Sequence, residues 1–209
     1  MDSSAVIKKY FPQTSDKQIE LFEKFAEELI EWNQKINLIS RKDVDNIFVN
    51  HILHSLTIAK YFSFADNTQI LDIGTGGGFP GIPLAIIFPN CHFTLVDSIA
   101  KKIVVVNDLI EKLQLKNVSA INERAEKLNI KVDVVVTRAT ASIDDLMKWC
   151  SPLFMRKGTM PFRGLLALKG GDIEEECQNY TKYITINDLK KNFTEEFFET
   201  KKLVFLHVP

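Results

Sequence analysis

The sequence predicts an α/β fold, a doubly wound Rossmann-like sheet behind a helical N-terminal extension. Three observations lead there. From about residue 66 onward, short apolar runs alternate with longer segments of helical period, the pattern of βαβ units and a parallel sheet covered on both faces. A glycine-rich stretch, LDIGTGGGFPGIP over residues 71–83, joins the first of these runs to a helix. The first 65 residues or so carry helical patterning only.

The elements follow in order. Ser15 and Gln18 in SDKQ have capping-box spacing, and Ile19, Phe22, Phe25, Ala26, Leu29, Ile30 and Ile36 then recur as one helical stripe facing a core. A second helix is expected over 44–62. QILDIG is a short strand ending in glycine, and GIPLAIIFP from Gly81 suits a helix. HFTLVD is the next strand, SIAKKIVVVNDLIEKLQL the next helix, and NVSAIN and VDVVVTRA are two further strands. A helix over 143–154 and a strand in GLLALKG come next. The tail, with YITINDL and KKLVFLHVP, offers two more strands whose direction periodicity leaves open. The expected organisation is a helical extension, 1–65, and one compact α/β domain, 66–209.

A chain of 209 residues is long enough to bury a sizeable core as one domain with an elaboration. The formal net charge of -1 gives no global pull towards nucleic acid, so any basic surface has to be local. MDSSAVIKKYF lacks the apolar core of a secretory signal, and no apolar run approaches the ~20 residues that span a bilayer. Cys91, Cys150 and Cys177 are scattered without metal-ligand spacing and read as reduced, buried thiols of a cytoplasmic protein. His51 and His54 stand three apart on a predicted helix with no third ligand of suitable spacing, so no metal is expected. Trp32, Ile36 and Leu38 read as helix packing, and Glu174, Glu175 and Glu176 as a solvated helix face.

The glycine loop parses two ways. Gly74, Gly76 and Gly78 fit G-x-G-x-G, while Gly76, Gly78 and Gly81 fit the dinucleotide fingerprint G-x-G-x-x-G. Asp72 separates the readings, because a carboxylate two residues before the first glycine would repel a pyrophosphate and suits a cationic ligand. Pro80 has no N–H to offer an anion. S-adenosylmethionine carries an ammonium, a sulfonium and no phosphate. Asp97, closing HFTLVD about 20 residues past the loop, stands where an acid meets ribose hydroxyls. These residues favour a methyl-donor site, with Gly74 and Gly76 in its loop; a nicotinamide-dependent oxidoreductase is the alternative.

WNQKINLIS, LDIGTGGGFPGIPLAI, LVDSIAKKI, ERAE, VVTRA and LALKGG, in that order, resemble the bacterial small-subunit ribosomal RNA guanine-N7 methyltransferases, once known as glucose-inhibited division protein B. The likeness runs over residues 32–171. It implies a Rossmann-like methyltransferase sheet, S-adenosylmethionine contacts at Gly74, Phe79, Ala125, Glu126 and Arg138, and methylation of a guanine N7 in 16S ribosomal RNA or the small subunit. The segment NHILHSL departs from the family, with Asn50 where it has arginine and His54 where it has aspartate.

Guanine N7 has an in-plane lone pair and no proton to lose, so its methylation needs alignment and no general base; no catalytic residue is therefore expected. The chain has no N-P-P-Y-type tetrapeptide for an exocyclic amine and no Pro-Cys for attack on a pyrimidine carbon. Arg138, at the end of a predicted central strand, is placed for the cofactor or for guanine O6. Lys148, Arg156, Lys157, Arg163 and Lys169 fall in an acid-free stretch from Leu146 to Gly171, with Phe154 and Phe162 among them. That is the composition of an RNA-binding patch, which Arg41 and Lys42 would extend. A monomer is expected, and a non-catalytic ribosome-assembly factor is the remaining alternative.

Overall fold

The computed structural model describes residues 4–138, 141–156 and 160–208. Seven strands form one sheet: β1 Gln69–Ile73, β2 His92–Asp97, β3 Val118–Asn122, β4 Val134–Arg138, β5 Gly164–Gly170, β6 Ile184–Asp188 and β7 Lys201–His207. Their order is β3-β2-β1-β4-β5-β7-β6. The first five are parallel. β7 is antiparallel to both β5 and β6, which settles the direction that the tail's periodicity left open. Val134, Val135, Val136 and Thr137 of β4 are fully buried, because helices cover both faces.

The helices are α1 Ala5–Tyr10, α2 Asp16–Asn33, α3 His54–Tyr61, α4 Gly81–Ile87, α5 Ala100–Lys112, α6 Ile143–Cys150 and α7 Glu174–Cys177. The capping box at the start of α2 is formed: Gln18 N donates to Ser15 Oγ at 3.3 Å and Ser15 N donates to Gln18 Oε1 at 3.0 Å. The α2 stripe then buries Ile19, Phe22, Phe25, Ala26 and Leu29. Phe22, Phe25 and Leu29 share a hydrophobic cluster with Ile82, Leu84, Leu95 and Val105, so the N-terminal helices and one face of the sheet have a continuous core. Each fully buried phenylalanine there contributes about 1.5–3 kcal/mol.

Two segments differ from expectation. Over 44–62 the chain is helical but not one α-helix. A 3₁₀ stretch, Arg41–Asn46, leads into a π-helical turn, Phe48–Leu53, and only then into α3. Residues 51–58 are all buried, so no polar face breaks the pattern into a readable period. The helix expected to reach residue 154 ends at Cys150 and passes into a 3₁₀ turn, Ser151–Leu153, where Pro152 has no N–H to continue it.

The sheet reverses its order between β1 and β4, with β2 and β3 to one side and β5 to the other. The loop after β1, Asp97 ending β2 and Arg138 ending β4 therefore gather at the carboxyl edge, where α/β sheets bind ligands.

Candidate active site

The loop that follows β1 is closed by its own hydrogen bonds. Gly74 N and Thr75 N both donate to Val96 O, at 2.8 and 3.0 Å, and Gly78 N and Phe79 N both donate to Thr75 O, at 2.9 and 2.8 Å. Gly76 N donates to Asp97 Oδ2 at 3.0 Å and Gly81 N to Asp72 Oδ2 at 2.9 Å. Phosphate-binding loops work by leaving such N–H groups open towards the ligand. Here six are already engaged. Gly74, Gly76 and Gly78 have φ of 71°, 60° and 95°, which glycine adopts without strain.

Asp72 thus acts differently from the sequence reading. It is fully buried, its Oδ2 also accepts from Thr75 Oγ1 at 2.7 Å, and it does not line the cavity below. The carboxylate ties the loop to the first turn of α4 and does not face a ligand. Burial pushes its pKa up to about 7, against the opposing hydrogen bonds from Thr75 and Gly81.

A cavity of about 360 Å³ opens between the ends of β1, β2 and β3. Gly74, Asp97, Ala125 and Glu126, four of the seven expected cofactor residues, line it. The others do not. Gly76 N is engaged by Asp97, and Phe79 is a buried core ring 5.1 Å from that of Phe25. Arg138 lies over the ring of Phe79, its guanidinium carbon 4.5 Å from the ring centre. The wall gains residues that sequence reasoning missed: Ser98, Ile99, Lys102, Glu123, Arg124 and Trp149. Ser98, Ile99 and Lys102 were within reach, since they directly follow Asp97. Trp149 comes from α6, far along the chain, with no local signal.

The charge of this wall suits S-adenosylmethionine. Asp97, Glu123 and Glu126 face only Lys102 and Arg124, so there is no cationic surplus for a diphosphate. Asp97 accepts one backbone N–H on each oxygen, Gly76 N on Oδ2 and Ile99 N on Oδ1 at 2.9 Å. Each oxygen keeps a further lone pair for a hydroxyl. Asn122 Nδ2 donates to Asp97 O at 2.9 Å and fixes the strand end from the β3 side.

Beside the loop lies a compact polar cluster. His51 packs on Phe79, ring centres 5.2 Å apart, and its Nε2 is 3.7 Å from Asp43 Oδ2. Asn50 donates from Nδ2 to Asp43 Oδ1 at 2.8 Å. Burial first, and the charge of Arg138 second, push the His51 pKa down to about 3. Burial likewise lowers His54. Both are neutral rings in a packed interior, and among the described residues no three His, Cys, Asp or Glu side chains are arranged to hold a metal.

The family model GidB, rRNA small subunit methyltransferase G, matches residues 18–204. The chain belongs to this family. A Flavobacterium johnsoniae protein named ribosomal RNA small subunit methyltransferase G is 48% identical over 201 residues, covering 96% of each chain. A Porphyromonas gingivalis protein of the same name is 45% identical, covering 96% of this chain and 92% of its own. Among solved structures, an S-adenosylmethionine-dependent methyltransferase from Aquifex aeolicus superposes with a TM-score of 0.54 at 16% identity, over 74% of this chain and 89% of that one. A putative rRNA-methylase from Clostridium thermocellum gives 0.52 at 15% identity, over 75% and 94%. At these identities they establish the fold alone. As a family member the chain is an S-adenosylmethionine-dependent rRNA methyltransferase.

The basic stretch expected to meet the RNA is dispersed in this family member. Lys169 is buried, and its Nζ donates to Ala141 O at 2.5 Å and to Glu176 Oε2 at 2.9 Å. Glu176 also accepts from Ile143 N at 3.2 Å, so the acidic run is not merely a solvated face. Arg163 donates through Nη1 to the carbonyls of Met155 and Arg156, the latter at 2.7 Å. Phe154 is core, and Phe162 packs edge-on to Phe62 and Phe205. Arg156 remains exposed, and Lys157 lies outside the described residues. Lys169→Ala should therefore cost about 1–3 kcal/mol in denaturant unfolding, by leaving Ala141 O and Glu176 without their partner. Its affinity for 16S rRNA in filter binding should stay within about twofold. A large loss of RNA affinity with unchanged stability would restore the phosphate contact.

Proposed function

We propose that the chain methylates N7 of a guanine in 16S rRNA by direct in-line transfer, its residues orienting the partners and moving no proton. The observation that carries the cofactor half of this reading is the loop's engaged N–H groups, which leave no cradle for a diphosphate. Bound in the cavity, S-adenosylmethionine supplies an electrophilic methyl on a sulfonium leaving group. Asp97 takes the ribose hydroxyls through its remaining lone pairs. Ala125 and Glu126 hold the adenine end, and Ile73, Val96 and Ile99 give it an apolar wall that excludes water. Gly74, with Gly76 and Phe79 shaping the loop behind it, borders the methionine side.

Arg138, half-buried on Phe79 at the end of β4, is assigned to guanine O6 or to the donor's carboxylate. Guanine presents O6 and N7 as acceptors on its outer edge, and N7 must stay free for attack. Alignment of that lone pair with the methyl can account for ~7–11 kcal/mol of barrier lowering in well-ordered cases. An rRNA substrate supports a cytoplasmic location for the reaction.

The test is methyl transfer from labelled S-adenosylmethionine to 16S rRNA, naked or in small subunits, from cells lacking the gene. The label should appear in 7-methylguanosine after nuclease digestion. Label in another nucleoside overturns the N7 assignment. No transfer to either substrate favours a non-catalytic assembly factor.

A further inference from the structure

A second groove lies beside the cofactor cavity at the same edge of the sheet. Its volume is about 640 Å³, and Lys35, Arg41 and Lys101 line it with Asn33, Gln34 and Asn37. Among the described residues no carboxylate belongs to its wall. The three cations are exposed and come from separate segments: the turn after α2, the start of the 3₁₀ stretch and the first turn of α5.

Groove and cavity adjoin on α5. Lys101 lines the groove while the next residue, Lys102, lines the cavity, 3.9 Å from Asp97 Oδ2. The chain after α2 also touches the glycine loop: Leu38 Cβ and Leu29 Cδ1 stand so close to Gly77 that a side chain there would meet them at 3.4 and 3.0 Å. This segment is held in shape. Asn33 Oδ1 accepts from Leu38 N at 2.8 Å and Ile39 N at 3.0 Å, and Lys35 Nζ sits 5.0 Å from the Trp32 ring centre. Asp108, whose charge reaches Lys35, is already engaged by Trp32 Nε1 at 2.7 Å and Lys112 at 3.1 Å.

A preformed groove with three cations, three amides and no acid is built for a polyanion that also carries hydroxyls. In a chain of net charge -1 it is a local positive surface of the kind RNA needs. We propose that this groove takes the ribose-phosphate backbone of the rRNA substrate next to the methyl donor. Lys35, Arg41 and Lys101 neutralise phosphates, and the amides of Asn33, Gln34 and Asn37 address phosphate oxygens and 2′-hydroxyls. The contacts position the strand; they do not read its sequence. The assignment rests on the rRNA-methyltransferase reading.

The experiment compares the wild type with the triple variant Lys35→Ala, Arg41→Ala, Lys101→Ala. 16S rRNA binding is measured across a salt series, with S-adenosylhomocysteine binding followed by calorimetry. Three lost phosphate contacts, at roughly 0.7 each on single strands, should make the salt slope shallower by about 2 and weaken binding by at least about 30-fold at low salt. The KM for rRNA should rise while kcat stays within about twofold, and S-adenosylhomocysteine affinity should not move. If the triple variant loses the cofactor as well, the single variants Lys35→Glu, Arg41→Glu and Lys101→Glu carry the test, each expected to weaken rRNA binding by about fivefold or more. Unchanged rRNA affinity and slope in variants that bind the cofactor overturn the groove alone. A wild-type protein that neither binds nor methylates rRNA overturns the parent reading as well.

Discussion

Asp97→Ala is expected to lower the affinity for S-adenosylhomocysteine by at least about 100-fold in calorimetry, from the loss of two charge-assisted hydrogen bonds at about 1.5–3 kcal/mol each. Both carboxylate oxygens already serve the protein, one for Gly76 N and one for Ile99 N. Alanine therefore removes the ribose acceptor and also leaves Gly76 N and Ile99 N without their acceptor, although Val96 O still holds Gly74 N and Thr75 N. The two effects separate by a second variant. Asp97→Asn retains one oxygen, enough for the Ile99 N–H, but turns a donor towards Gly76 N or towards the ribose. It should keep most of the thermal stability and still lose most of the affinity. Alanine should lose both, with about 1–3 kcal/mol for each orphaned N–H. If Asp97→Ala binds S-adenosylhomocysteine as the wild type does, Asp97 is a loop anchor only and the ribose assignment falls.

The fold and the cofactor edge were legible because their signals are local. A short apolar run, a glycine turn and an acid ending the next run each fix a strand end. Parallel strands then bring those ends together whatever lies between them. Asp97 and Gly74 reached the cavity by that logic, whereas the Ala125–Glu126 pair, which also lines it, was placed only by the family resemblance of ERAE. How the basic residues group in space was not legible, for a physical reason. In β5 the residues from Gly164 to Lys169 are buried on both faces, so Lys169 is drawn under α7 to Glu176 although it follows other basic residues in sequence. The cations that do share a groove, Lys35, Arg41 and Lys101, lie in segments that only packing on the glycine loop brings side by side. Asp72 shows a third kind of gap. Its position argued correctly against a diphosphate, yet the cause is the loop it closes and not a charge presented to the ligand.

That buried carboxylate should dominate one part of the stability profile. Asp72 ionises near 3.8 in the unfolded chain and at about 7 in the folded one, with burial the leading cause. Between those values folding takes up a proton. Its stabilising contribution is complete below the unfolded value and is lost as pH rises through about 7. At about 1.4 kcal/mol per unit the loss is on the order of 4 kcal/mol. His51 has the opposite sign: pushed down to about 3 in the fold, it contributes above its ordinary value of 6.5 and loses that contribution as pH falls. The wild-type profile thus blends two slopes, and the difference between variant and wild type is the clean quantity. An Asp72→Asn side chain can still accept from Thr75 and Gly81 through its oxygen. Its amide would occupy the place of Asp72 Oδ1, which is buried without a hydrogen-bond partner among the described residues. The unfolding free energy of Asp72→Asn, minus that of the wild type, should therefore rise by several kcal/mol from pH 4 to pH 8 and level off beyond. A difference that stays flat across this range would mean that Asp72 titrates as a solvated carboxylate, and the closure of the glycine loop would need another anchor.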